Sequence, residues 1–111
     1  MRSVQSAQQG GRWPTLPDWM RRCPTCQQHY GVYRVADTTT HLTQGPQRQT
    51  RVSTHIVADH PDQVPDYVPG CQRCDEHRAT PGHLRTAATA TRAAVHRAAH
   101  IFAPPDHTRL T

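Results

Sequence analysis

The chain reads as a small α+β domain, in which a cysteine-closed β-hairpin is followed by one C-terminal α-helix and preceded by a disordered N-terminal arm. Three observations predict this class. Val, Ile, Leu and Phe together supply only fifteen of 111 residues, too little apolar surface to offset backbone ordering at about 1–2 kcal/mol per residue without a covalent or metal staple. Two C-x-x-C pairs bracket two β-branched runs. After them comes a stretch with apolar spacing of 4, 3, 4, 3 and 4, which is helical.

Residues 1–22 form the arm. They are polar and rich in Gln, Gly and Arg, with Pro14 and Pro17 opposing a helix. Within the arm, "WPTLPDWM" is the part able to pack back on the domain. The hairpin domain spans 23–79. Its first strand begins at Val32, Tyr33 and Val35 and continues through Thr38, Thr39, Thr40 and Leu42, before a Gln44-Gly45-Pro46 break. The second is "QTRVSTHIVAD", in which Val52, Thr54 and Ile56 alternate with Arg51, Ser53, His55 and Val57. The segment "DHPDQVPDYVPG" (59–70) is proline-broken and acidic, and reads as a loop leading to Cys71. An Ala/Arg-rich helix over 80–103 places Leu84, Ala88, Thr91, Val95, Ala98 and Phe102 on one face. It ends at Pro104-Pro105, leaving a tail over 104–111.

The cysteines carry the chemistry. Cys23-x-x-Cys26 and Cys71-x-x-Cys74 are separated by 44 residues. Two-residue spacing lets both sulfurs of a pair reach one ion from a tight turn, and two such turns complete a tetrahedron with Zn–S near about 2.3 Å. All four are therefore expected to bind one structural zinc ion, with iron an open substitute. A redox dithiol would need a helix beginning at C-x-x-C in a βαβ setting, whereas Gly31 and a β-branched stretch follow. A two-disulfide framework is the other alternative, and no export signal is visible for it. His55, His60 and His77 lie near the cysteines in sequence and could replace a thiolate. His29, His41, His83, His96, His100 and His107 read as solvated surface or compositional drift.

The order pair, hairpin, pair resembles the zinc-ribbon and treble-clef class over residues 23–77. The outline "HIVADHPD" then "CQRCDEHR" is also similar to nucleases of the HNH class. That second resemblance implies His55 or His60 as the water-activating base and His77 as a ligand of a catalytic metal. The chain contains no Asn, so the middle residue of that triad is absent and a degenerate descendant fits better. No phosphate-cradling glycine loop or G-x-S-x-G motif is present.

All thirteen basic residues counted as Lys or Arg are arginine, and the formal net charge is +5. Positive charge is concentrated in the flanks and the middle is mildly acidic. Arg85, Thr89, Arg92 and His96 fall on one helical stripe away from the apolar seam. With Arg21 and Arg22 of the arm and Arg48 and Arg51 of the hairpin, they suit phosphate contact. The expected function is a small zinc-binding accessory or regulatory protein that contacts DNA or RNA. One alternative is a protein-binding adaptor using the acidic loop, with Tyr67 and Val68 exposed, or the C-terminal helix. The other is an HNH-like metal-dependent nuclease, active or degenerate. No apolar run is long enough to span a bilayer, and a cytoplasmic protein is the expectation.

Overall fold

The computed structural model describes residues 13–38 and 44–108. Its described residues form helices: α1 (Asp18–Arg21), α2 (Pro24–Thr38), α3 (Gln44–Asp59), α4 (Gln72–Arg78), α5 (Ala87–Phe102) and α6 (Pro105–Thr108), with 3₁₀ turns at Pro61–Gln63 and Gly82–Leu84. No strand occurs among the described residues, so the expected β-hairpin, and with it the α+β class, gives way to a helical architecture.

The physical reason lies in which residues are buried. In α2 the core positions are Cys26, Tyr30 and Tyr33, spaced 4 and 3, while Val32 and Val35 are 43% and 61% exposed. The apparent alternation at Val32, Tyr33 and Val35 therefore has only its tyrosine facing inward. In α3 the buried side chains are Gln49, Val52, Ser53 and Ile56, a helical face. Thr54, expected to share a strand face with Val52 and Ile56, is exposed. The Gly45-Pro46 break is the first turn of α3, where the missing proline N–H would have had no helical partner anyway. Residues 39–42 of the expected first strand, and residues 1–12 of the arm, lie outside the described residues.

Helix α2 packs on α3, α3 on α5, and α4 on α5, so α3 and α5 form the centre of the molecule. Met20, Tyr30, Tyr33, Val52, Ile56, Ala98, Ala99 and Phe102 make the core, with Trp13 and Trp19 packed at its edge. Tyr33 meets Phe102 edge-on at 5.7 Å and Trp13 at 5.5 Å, a geometry that ring quadrupoles favour. The buried face of α5 comprises Ala93, His96, Ala98, Ala99 and Phe102. Leu84, expected to begin the apolar seam, precedes α5 and is 52% exposed. Thr86 caps α5 through a reciprocal bond pair with Thr89, whose N–H donates to Thr86 Oγ1 at 3.2 Å and whose hydroxyl accepts from Thr86 N–H at 2.8 Å.

The acidic loop is tied down at Pro65 and Tyr67, while Asp62 and Asp66 stay exposed. Arg97 Nε donates to the Pro65 carbonyl at 2.9 Å, and its guanidinium lies 4.7 Å above the Tyr67 ring. Tyr67 and Val68 are half-buried, against the expectation that they are exposed. Gly70, at φ +85°, supplies the left-handed turn into Cys71. No helix among the described residues is long and apolar enough to cross a membrane.

Candidate metal centres

Each C-x-x-C pair opens a helix. Cys71 is the N-cap of α4, and its Sγ accepts from the Cys74 N–H at 3.4 Å. Cys23 stands in the same relation to α2: Cys26 N–H donates to its Sγ at 3.4 Å, its carbonyl accepts from Gln27 N–H, and Pro24 occupies the first helical position. The four orphan N–H groups of a helix start favour negative charge on sulfur.

Two histidines complete each pair. His55 lies in the last turns of α3 and His60 just past its end; their Nε2 atoms lie 3.5 Å from Cys23 Sγ and 3.6 Å from Cys26 Sγ, respectively. His96 and His100, one turn apart on α5, place Nε2 3.3 Å from Cys71 Sγ and 3.5 Å from Cys74 Sγ, and lie 3.3 Å from each other. In both groups the four ligand atoms lie within 4.8 Å of one another. With Zn–S near about 2.3 Å and Zn–N near about 2.0–2.1 Å, a tetrahedral site has edges of roughly 3.3–3.8 Å. The sulfur–nitrogen and nitrogen–nitrogen separations of 3.3–3.6 Å fall on those edges, so both donor sets fit a four-coordinate ion.

The architecture thus divides the cysteines, which the sequence alone assembles around one ion, between two groups. Helix α3 delivers a histidine pair to the start of α2, and α5 delivers one to the start of α4. His77, offered as a substitute ligand, belongs to neither group; its ring lies 5.6 Å from that of His96. The geometry brings His55 and His60 in as partners of Cys23 and Cys26. His96 and His100, set aside as surface residues, are the ones that sequence reasoning missed. Their H-x3-H spacing on one helix face was the available signal.

Electrostatics separate the two sulfurs of the first pair. The Cys26 N–H, with His55 and His60, draws the Cys23 thiol down to about 6. Burial, reinforced by neighbouring Cys23, pushes Cys26 up to about 12. Burial likewise raises Cys74. A bound cation reverses that penalty by taking a thiolate outright. Burial, with added repulsion from His100, His77 and nearby arginines, lowers His96 to about 4, and burial also lowers His100. Both rings therefore hold neutral lone pairs at neutral pH.

The His96 shift has a consequence for stability. The unfolded chain takes up a proton on this ring near 6.5, whereas the folded chain resists until about 4. The contribution of neutral His96 is fully present above about pH 6.5 and falls away as pH drops toward 4, and protons competing for the ligands act in the same direction. The thermal midpoint is expected to be level above neutrality and to decline through that window. A midpoint unchanged down to pH 4 in a circular-dichroism titration would refute a buried neutral His96.

His55 carries a further support. Its Nδ1 faces Asp59 Oδ2 at 3.3 Å, which sets the proton on Nδ1 and leaves the Nε2 lone pair for an ion. Asp59→Asn is expected to weaken metal binding at the first group by about tenfold, the lower end for such partners, because the Asp59 side chain is 62% exposed. Competition with a chromogenic chelator measures this, and unchanged affinity would remove Asp59 from the site.

A helix does begin at each C-x-x-C, so that objection to a redox dithiol falls. The described residues nonetheless contain no βαβ unit, and each pair faces two imidazoles instead. None of the cysteines is in a disulfide. The nuclease outline loses its β-hairpin, and its two base candidates, His55 and His60, point Nε2 at sulfur.

The arginines singled out from the sequence are scattered. Arg21 pairs with Asp18, while Arg22 and Arg51 are exposed and Arg48 is half-buried on α3. Arg85 spends its guanidinium on the carbonyls of Thr80 and Arg78, at 2.9 and 3.0 Å. Arg92 is exposed on α5, and His96, expected on the same stripe, is buried. A hollow of about 700 Å³ opens beside the second group, with Cys71, His100, Arg73 and Glu76 in its wall. No protein-family model matches the chain, and no curated protein or solved structure matches it either.

Proposed function

We propose that each Cys2His2 group holds one zinc ion and that the chain is a small accessory protein whose helices are stapled at two points. The observation that carries this reading is the convergence of two thiols and two imidazole Nε2 atoms, twice, at separations of 3.3–3.6 Å. A mixed thiolate–imidazole set without carboxylates favours zinc over magnesium, calcium or manganese. Four protein donors leave no open position, so the ion supplies cross-linking rather than Lewis acidity.

Native mass spectrometry of protein purified without chelator tests this directly. Two zinc ions per chain are expected, and cobalt substitution should give the absorption of two tetrahedral S2N2 centres. A metal-free chain four hydrogens light would mean two disulfides and would overturn the proposal.

The finer reading is that this stapled protein contacts nucleic acid. Its support is the net charge of +5 and the exposure of Arg22, Arg51 and Arg92. Phosphate contact predicts an affinity for DNA or RNA that falls linearly with salt on logarithmic axes. The adaptor alternative is weakened by the strapping of Tyr67 beneath Arg97.

A further inference from the structure

A second hollow, of about 410 Å³, lies where α3, α4 and α5 meet. Arg73 and His77 of α4, Thr91 and Arg92 of α5 and Thr50 of α3 line it, with Pro46 and Val95 as apolar wall, and His96 of the second metal group forms part of its floor. Its lining contains two guanidiniums and no carboxylate. Arg73 keeps one contact outside it, Nε to Glu76 Oε1 at 3.6 Å, which leaves its terminal nitrogens available. Arg92 makes no ion pair or hydrogen bond among the described residues and is exposed. Two positive forks on different helices, with the Thr50 and Thr91 hydroxyls and the His77 ring in the same wall, can surround a tetrahedral oxyanion from several sides. The volume lies within the range of small-ligand sites. The apolar wall would face whatever is attached to the anion.

We propose that this hollow is a phosphate site that takes a nucleotide unit, with the phosphate held by Arg73 and Arg92 and the sugar against Pro46 and Val95. It deepens the nucleic-acid reading, and rests on it for the choice of a backbone phosphate over that of a free nucleotide.

The test uses the zinc-loaded full chain and two probes. Inorganic phosphate is titrated while the Arg Nε resonances are followed by NMR, and a short fluorescein-labelled single-stranded DNA is titrated by anisotropy at several salt concentrations. Arg92→Gln is the main variant, its zinc content serving as the check on folding; Arg73→Gln is the second, and Arg22→Gln removes the same charge elsewhere. Phosphate is expected to shift the Arg73 and Arg92 signals selectively. Arg92→Gln should weaken DNA binding by about tenfold and flatten the logarithmic salt slope by about one, with a smaller effect from Arg22→Gln. Selective phosphate shifts without DNA binding would keep the site for a small phosphorylated ligand and remove the nucleic-acid reading. DNA binding that Arg92→Gln leaves unchanged, or that Arg22→Gln weakens equally, would overturn the site. So would phosphate that shifts neither arginine.

Discussion

Stripping the protein with excess EDTA is expected to abolish its cooperative thermal transition and most of its helical circular dichroism, and added zinc should restore both. The apolar core that would remain is thin. Its large buried side chains are Tyr33, Phe102, Met20, Ile56 and Val52, and α5 contributes mainly alanines. A structural zinc site is worth about 10–16 kcal/mol of coupled binding and folding in small peptides, against a total stability of about 5–15 kcal/mol for a typical domain. Losing two such ions exceeds any reserve the core provides. A chain that keeps its transition after metal removal, with zinc absence verified by elemental analysis, would show that the core folds without the staples.

Cys26→Ser and Cys74→Ser should each remove one zinc ion and spare the other, and the double variant should remove both. Both sulfurs are fully buried, each in a different group. A single site built from four cysteines would instead go from one ion to none with either substitution, so the stoichiometry in native mass spectra separates the two arrangements. Each single variant is also expected to melt lower by more than roughly 10 °C, because several kcal/mol lost at about 4–8 °C per kcal/mol lead there for a domain of this size. Cys26→Ser should loosen α2 against α3, and Cys74→Ser should loosen α4 against α5. Hydrogen exchange would locate each effect. Equal loss of protection across both helix pairs would show that the staples act as one unit.

The α2 and α3 segments show why part of this fold was hidden from local reading. Val32, Tyr33 and Val35, like Val52, Thr54 and Ile56, satisfy an alternating pattern and carry β-branched side chains. Those preferences span only about 1 kcal/mol and yield to tertiary context. The competing helical signal was also present: Cys26, Tyr30 and Tyr33 in one segment, Gln49, Val52 and Ile56 in the other. It was masked because its members include a cysteine, two tyrosines and a glutamine rather than aliphatic residues. The helix at Ala87–Phe102 was legible as a helix, stopped by Pro104-Pro105, but its buried face only in part: Ala98 and Phe102 of the expected seam are buried, whereas Ala88 and Thr91 are exposed and Ala93 and His96 face inward instead.

What the sequence by itself determined is the case for a staple and the chemistry of half its donors: too few apolar residues, and two C-x-x-C turns, which spacing alone assembles around one shared ion. Which donors meet was decided only by the tertiary structure. His55 and His60 follow Cys26 by 29 and 34 residues, and His96 and His100 follow Cys74 by 22 and 26. No local period relates ligands at such distances. The packing of α3 on α2 and of α5 on α4 brings them together. Those packings pair each cysteine turn with its own two histidines because a buried thiol or imidazole is costly until an ion or a partner satisfies it. Two sites of four donors take in all three fully buried donors, Cys26, Cys74 and His96, together with five half-buried ones.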